Sequence, residues 1–330
     1  MVDFRLIAAC EKSFIEMRDV KMFEIGIIGA GATGLAHSNA IATNDECKLV
    51  AVCDIVEEKA RELANPYNAD CFTDYKAMCD KVHMDAVIIN LPHFLHCEVS
   101  VYCMKKGINV LVEKPMAITT AECDEMERVA RENNVKLAVG HVQRYFSAYS
   151  EIKKVIENGM LGKLCMITET RNVDYVSNRA NWFLKKALSG GGIVMNYGAH
   201  SMDKLFYTTG FDVKNIHAVL SNPLTDDDVE INAQIFAELT NNVTAVISYC
   251  GCHVPTEDVT SFYFTDGVAK VYDGYKLQIL TKDGVNNIES TGGIFVKQMI
   301  EFVKYLKGEQ SEIVTYEYGR KVIEVLERIL

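Results

Sequence analysis

The stretch from Phe23 to Gly34 reads F-E-I-G-I-I-G-A-G-A-T-G, an apolar run that stops at glycines 29, 31 and 34 and leads into a helical pattern. A strand ending in this spacing and opening a helix is the dinucleotide-binding fingerprint. Gly29 permits the tight turn, Gly31 lets the backbone approach a pyrophosphate, and Gly34 lets helix pack on strand. The helix N-terminus at Ala32 and Thr33 then faces the anion. Twenty residues beyond Gly34 the next apolar run ends in Asp54. A carboxylate there accepts hydrogen bonds from the adenosine ribose and repels a 2′-phosphate, so NAD is expected in preference to NADP. Asp54 also stands where it would cap a helix starting at Val56, and the two roles can coexist.

Outward from this stretch, β-branched runs alternate with amphipathic segments. Strands are expected at Phe23 to Ile28, Lys48 to Cys53, Asp85 to Asn90, Ile108 to Val112 and Lys136 to Val139. The helical patterns between them cover about Gly31 to Thr43, Val56 to Asn65, Tyr75 to Lys81, His96 to Lys106 and Thr120 to Asn133. This is the signature of a doubly wound α/β domain over residues 23–144. From residue 145 to 330 the texture changes. A helix at Ser150 to Asn158 precedes alternating strands at Lys214 to Ser221, Glu230 to Leu239, Val243 to Tyr249, Ser261 to Thr265, Val268 to Tyr272 and Lys276 to Thr281. Antiparallel hairpins are implied, closed by helices at Ile294 to Lys307 and from Tyr316 to the end. Residues 1–22 read as a leader, with Phe4, Ile7, Phe14 and Met17 forming one helical stripe; the alternative is a start at Met22.

At 330 residues the chain is long enough for two domains. The 34 Lys and Arg against 45 Asp and Glu leave a formal charge of -11, which argues against nucleic acid and anionic lipid as partners. No apolar run approaches the roughly 20 residues of a membrane span. The 11 cysteines are odd in number and scattered through apolar runs, as befits reduced thiols in the cytoplasm. Cys250, Cys252 and His253 lack a second ligand pair at metal spacing and read as alternating strand residues, so no metal is expected.

Two further strand ends read I-N-L-P-H-F-L-H over Ile89 to His96 and N-V-L-V-E-K-P-M-A-I-T over Asn109 to Thr119. Ligands collect beyond the carboxyl ends of parallel strands. Lys114 falls there, its stem against apolar sequence and its ammonium toward the crevice. A lysine so placed can hydrogen-bond a substrate hydroxyl and, with its pKa lowered, help deprotonate it.

The glycine fingerprint, the triplet Glu113-Lys114-Pro115, the stretch Gly140 to Tyr145 and the segment from Trp182 to Asp203, with a triple glycine and a histidine eight residues after it, together resemble the Gfo/Idh/MocA oxidoreductase family. The resemblance implies an N-terminal Rossmann domain, a C-terminal α/β domain with an open mixed sheet, and NAD(P)-dependent oxidation or reduction of sugars, cyclitols and related polyols. It implies that Lys114 is catalytic, that Pro115 shapes the nicotinamide pocket, and that a dyad falls at Asn196 and His200, four residues apart and on one face if helical. Many members carry Asp at the first position. Asn196 can orient the substrate or His200 but cannot stabilise an imidazolium by charge, which shifts weight from His200 to Lys114.

The remaining candidates carry paired readings. His141 and Arg144 are expected at the substrate, with an interdomain ion pair the alternative for Arg144. Pro92, His93, His96 and Glu113 are expected at the cofactor, His93 otherwise facing solvent and His96 capping its helix. Trp182 walls the substrate site or anchors the core, and Tyr175 and Arg171 follow the first strand of the second domain as pocket residues. The leading expectation is an NAD-dependent dehydrogenase of a sugar, cyclitol or glycoside that assembles as a homodimer or homotetramer. Its rivals are an NAD-dependent glycosidase using transient oxidation and a non-enzymatic NAD-binding regulator.

Overall fold

The computed structural model describes residues 22–177, 179–289 and 292–330. The expected leader helix, apart from Met22, lies outside the described residues. The first sheet contains β1 (Phe23–Ile28), β2 (Cys47–Cys53), β3 (Asp70–Phe72), β4 (Ala86–Ile89), β5 (Asn109–Glu113) and β6 (Leu137–Gly140). Their order is β6-β5-β4-β1-β2-β3, all parallel. Ile25, Ile27, Val87, Ile88, Val110 and Leu111 have no measurable exposure. Side chains on both faces are thus sequestered, which is why these strands read as unbroken apolar runs. The connecting helices are α1 (Ala32–Ala42), α2 (Glu57–Ala64), α3 (Tyr75–Lys81), α4 (His96–Lys105) and α5 (Thr120–Glu132). Asp74 caps α3 through Lys76 N, and Thr119 caps α5 through Glu122 N. The short strand β3 escaped the sequence reading because three residues, two of them exposed, carry no period. The strand order reverses between β1 and β4, and there a crevice opens beyond the carboxyl ends.

The second sheet has eight strands in the order β14-β13-β12-β11-β7-β10-β9-β8. They are β7 (Leu164–Asn172), β8 (Val213–Ser221), β9 (Asn232–Leu239), β10 (Thr244–Cys250), β11 (Glu257–Phe264), β12 (Val268–Tyr272), β13 (Lys276–Thr281) and β14 (Gly284–Glu289). The expected antiparallel hairpins are present, and the sheet is mixed as expected because β10 pairs parallel with β7. Arg171, expected after the first strand, lies within β7. Cys252 falls beyond β10 rather than on it, with its Sγ toward Asn232 Oδ1 at 3.6 Å.

Strand alternation sends Ile167, Glu169, Ala245, Ile247 and Tyr249 to one face. There α6 (Ser147–Glu157) and α8 (Ala199–Thr209) cover them, α8 following the short α7 (Lys186–Ser189). A buried ion pair pins α8 to the sheet: Lys204 Nζ lies 2.6 Å from Glu169 Oε1, and Ser201 Oγ donates to the same oxygen at 2.7 Å. The opposite face is open around Val219 and Phe236, which are exposed.

The boundary expected near Arg144 is crossed a second time. After the second sheet, α9 (Ile294–Lys307) packs on α1, with Phe295 edge-on to His37 at 4.9 Å. The strand β15 (Val314–Thr315) then pairs antiparallel with β6, and α10 (Tyr316–Glu327) packs on α5. Two residues of β15 are too few to announce themselves in sequence. Among the described residues no helix is long and apolar enough to cross a membrane.

Candidate active site

A cavity of about 450 Å3 lies at the point of strand reversal, lined among others by Gly29, Gly31, Asp54, Ile55, Val56, Asn90, Pro92 and Leu95. Gly29 has φ +98° and donates its N–H to Cys53 O at 2.8 Å; a Cβ there would stand 2.3 Å from Asn90 O. A Cβ on Gly34 would meet Gly29 O at 2.2 Å, which fixes the close seat of α1 on β1. Gly31, by contrast, borders open space. It leads α1 without a side-chain cap, so the first-turn N–H groups of Ala32 and Thr33 point at the crevice with no side chain to receive them.

Asp54 accepts from Ala30 N at 2.8 Å and from Val56 N at 2.9 Å, one bond to each carboxylate oxygen. The bond from Val56 N closes an Asx turn that leads into α2, and because a carboxylate offers about four acceptor sites, about two stay open to the cavity. Ile55, 90% exposed beside it, offers an apolar platform. Asn90 leaves both polar side-chain atoms buried and unpartnered at the cavity wall. Unmet polar groups, a bare helix N-terminus and an apolar shelf together fit a dinucleotide.

Beyond β5 the peptide Lys114-Pro115 is cis, and Lys114 turns toward the second domain. Its Nζ donates to Asn196 Oδ1 at 2.7 Å and to Asn196 O at 3.2 Å. Asn196 lies on a π-turn, Val194–Gly198, that runs straight into α8. The dyad falls on one continuous helical segment, with Asn196 in the wide π-turn and His200 in the first turn of α8. The triple-glycine loop ahead of it is tied down by Glu230, which accepts from Gly192 N at 2.9 Å and Val194 N at 2.8 Å.

Burial lowers the pKa of Lys114 to about 8 against the pull of Glu113, with Arg179 and Arg171 pushing the same way as burial. Glu113 is itself buried; His37 beside it and Lys114 hold it ionised below the usual carboxylate range in spite of desolvation. His37 Nε2 meets Glu113 Oε1 at 3.0 Å. His200 is buried, its Nδ1 has no partner, and desolvation with Lys114 nearby drives its pKa well below the usual value. It stays neutral at pH 7, in line with the missing carboxylate at position 196.

The other candidates separate. Arg144 is corrected from substrate contact to interdomain ion pair: it is buried against Asp203 and lies 4.5 Å over the Tyr318 ring. His141 has no exposed surface and two unpartnered ring nitrogens, and burial lowers its pKa to about 4. As placed it underlies the site and presents no surface for a substrate. The same holds for Tyr175, whose hydroxyl is buried beside Asn196 without a well-formed hydrogen bond. His96 does not cap its helix with a side chain. Its ring nitrogens meet Pro115 O and Leu91 O, each at 2.8 Å, and bind two strand-end loops together.

His93 meets Ser189 O at 2.8 Å through Nδ1, which the carbonyl requires to be the protonated nitrogen. It is buried rather than solvent-facing. Trp182 stands edge-on to it at 4.8 Å and stacks on Phe183 at 3.7 Å, half-exposed on the cleft wall and outside the core. The sequence reading missed Arg179, Tyr197, Asn90 and His37. None sits in a spacing that marks it, since each is brought to the cleft by a loop, a π-turn, a strand end or a helix whose partner is distant in sequence. Among the described residues no cluster of His, Cys, Asp or Glu is arranged to hold a metal.

Residues 23–141 match the model of an oxidoreductase family described as an NAD-binding Rossmann fold, and residues 149–270 match the C-terminal domain of the same family. The chain is 26% identical to the glucose-6-phosphate 3-dehydrogenase of Bacillus subtilis, over 93% of this chain and 95% of that protein. It is 32% identical to the D-glucoside 3-dehydrogenase of Escherichia coli, over 59% of this chain and 56% of that one. In structure it resembles an aldose-aldose oxidoreductase from Caulobacter crescentus, with a TM-score of 0.85, 21% identity, and coverage of 93% of this chain and 96% of the other. With both of its domains matched in order along the chain, this protein belongs to the Gfo/Idh/MocA oxidoreductase family.

Proposed function

We propose that the protein transfers hydride between NAD and a secondary alcohol of a sugar, cyclitol or glycoside, the substrate lying in the cleft between the two sheets. The observation that carries this reading is Lys114: an amine at the end of β5, held by Asn196 at 2.7 Å, with its pKa lowered to about 8. A general base works best with a pKa near the operating pH, where a useful fraction is neutral and the proton still has somewhere favourable to go. The names of the two curated relatives, both 3-dehydrogenases of glucose derivatives, support the alcohol and the sugar.

Nicotinamide supplies the hydride acceptor or donor when bound. The chain's own residues do the rest. Ala32 and Thr33 present N–H groups to the pyrophosphate, and the open lone pairs of Asp54 receive the ribose hydroxyls. In oxidation the neutral amine of Lys114 takes the hydroxyl proton as the C–H bond breaks, and in reduction the ammonium returns it. Asn196 keeps the amine aimed, since its amide oxygen accepts whichever proton the amine does not use. His200, neutral, holds the same hydroxyl by a hydrogen bond and carries no charge through the step. Trp182 and Phe183 shield the cleft from water on the side of His93.

The test is Lys114→Met, which keeps the length of the stem and removes the proton acceptor. Turnover on any accepted polyol should fall by about 10²–10⁴-fold while NAD still quenches protein fluorescence at the same concentration. Retained turnover in the variant would overturn the assignment. Stoichiometric NADH accumulation separates net dehydrogenation from a transient oxidation.

A further inference from the structure

The cations around the cleft are unevenly neutralised. Arg171 pairs with Asp258 at 2.8 Å, Lys204 with Glu169 at 2.6 Å, and Arg144 with Asp203. Arg179 has no such partner. It lies on the segment between β7 and the turn Asn181–Leu184, and among the described residues no carboxylate stands within ion-pair distance of it.

Its guanidinium is set among three rings, 4.6 Å from the centre of Tyr175, 5.0 Å from Phe183 and 5.4 Å from Tyr197. One hydrogen bond holds it there, from Nη2 to the Tyr197 hydroxyl at 2.5 Å. Tyr197 carries a second guanidinium, that of Arg171 at 4.2 Å, whose Nη1 is buried without a partner. Both arginines lie close enough to Lys114 to disfavour its charge.

Aromatic faces attract a guanidinium electrostatically. They do not meet its hydrogen bonds, and an arginine has five N–H donors in a planar fork that matches a phosphate or carboxylate. Arg171, Arg179 and Lys114 lie within electrostatic reach of one another; among the described residues Asp258 pairs with Arg171 and Glu113 stands beside Lys114, while Arg179 is left without a carboxylate. Arg179 is thus the cation of this group whose charge and free donors a ligand can meet.

We propose that the substrate carries an anionic group, a phosphate ester or a carboxylate, which the guanidinium of Arg179 grips while the reacting carbinol lies against Lys114. This deepens the dehydrogenase reading and rests on it for the position of the carbinol. The anion contact itself is a binding event that stands apart from turnover. Tyr175, Phe183 and Tyr197 act as positioning residues, because their rings fix the plane in which the fork is presented.

The experiment uses the full chain with NAD and three probes of one ring shape: glucose 6-phosphate, glucuronate and methyl glucoside. Calorimetric binding and NADH formation are measured for wild type, Arg179→Gln and Arg179→Lys. Wild type should bind one of the two charged probes about 10–100-fold more tightly than the neutral one, the range a charge-assisted contact supplies. Which one is preferred tells phosphate from carboxylate. Arg179→Gln should collapse that ratio toward one, mainly through KM, and Arg179→Lys should restore part of it, because charge survives without the fork.

A wild-type ratio near one, or a ratio unchanged in Arg179→Gln, would overturn the proposal even if all probes are oxidised. Charged-probe binding that Arg179→Gln abolishes, with no NADH from any probe, would uphold the anion site and count against the dehydrogenase reading alone.

Discussion

Replacing Asn196 by Asp places a carboxylate on the atom that now accepts from Lys114 Nζ at 2.7 Å. Two unit charges about 4 Å apart at an effective dielectric of about 20 attract by about 4 kcal/mol, roughly three pKa units before the new carboxylate's own desolvation is charged against it. A net rise of one to two units is the expected outcome. With the wild-type value at about 8, roughly one-quarter of the lysine is neutral at pH 7.5. At a pKa of about 9 the neutral fraction is about 3%, and at about 10 it is about 0.3%, so activity at pH 7.5 should drop about 8-fold to about 75-fold.

The assay is the pH profile of kcat/KM for polyol oxidation, read from NADH absorbance. In wild type the alkaline rise should centre near pH 8; in Asn196→Asp it should move up by one to two units and recover most of its height near pH 10. A variant whose rise stays near pH 8 at reduced height would refute the argument, since geometry alone would then explain the loss. His200 gives no such limb: its pKa starts well below the usual value, so a carboxylate beside it would produce a transition on the acid side.

The remaining predictions concern the cofactor and one buried histidine. Asp54→Asn removes the charge facing a 2′-phosphate, so the ratio of kcat/KM for NAD over NADP should fall at least about tenfold. An unchanged ratio would mean that Lys59, on the same cavity wall, already sets the preference. His141 is neutral when folded, with its pKa lowered to about 4 by burial against about 6.5 unfolded. The unfolded chain therefore binds the extra proton between these values, and stability is full above about pH 6.5 and declines as pH falls toward 4. From pH 7.5 to 5.0 this amounts to about 2 kcal/mol, so His141→Leu should lose about that much less in urea titrations. Equal losses in both proteins would count against it.

Much of the first domain was legible because its strands bury both faces. A run such as Ala86–Ile89, or Asn109–Glu113 with its apolar centre, leaves little room for a polar residue, and the glycine spacing at 29, 31 and 34 has one geometric use. Lys114 was legible for a related reason: strand ends of a parallel sheet face the ligand, so a polar residue just past an apolar run is already placed. Arg144 was not, because the same position serves an ion pair equally well and only the approach of Asp203 on α8 decides between them. Tyr175 and His141 read as surface contacts from their chain positions, yet packing leaves neither any exposure. The parallel pairing of β10 with β7 was also hidden, since alternation reports which face is buried and says nothing of a neighbour's direction.

The sequence by itself determined the doubly wound first domain, the cofactor cradle and the lysine at the end of β5, because these follow from local periodicity and from backbone positions where only glycine is accommodated. Tertiary structure alone decided the electrostatics: the seat of Asn196 on a π-turn 2.7 Å from Lys114, the neutrality of His200, and the isolation of Arg179 among three rings. Charge and pKa depend on distance and on exclusion of water, and both are set by segments tens of residues apart meeting in one cleft.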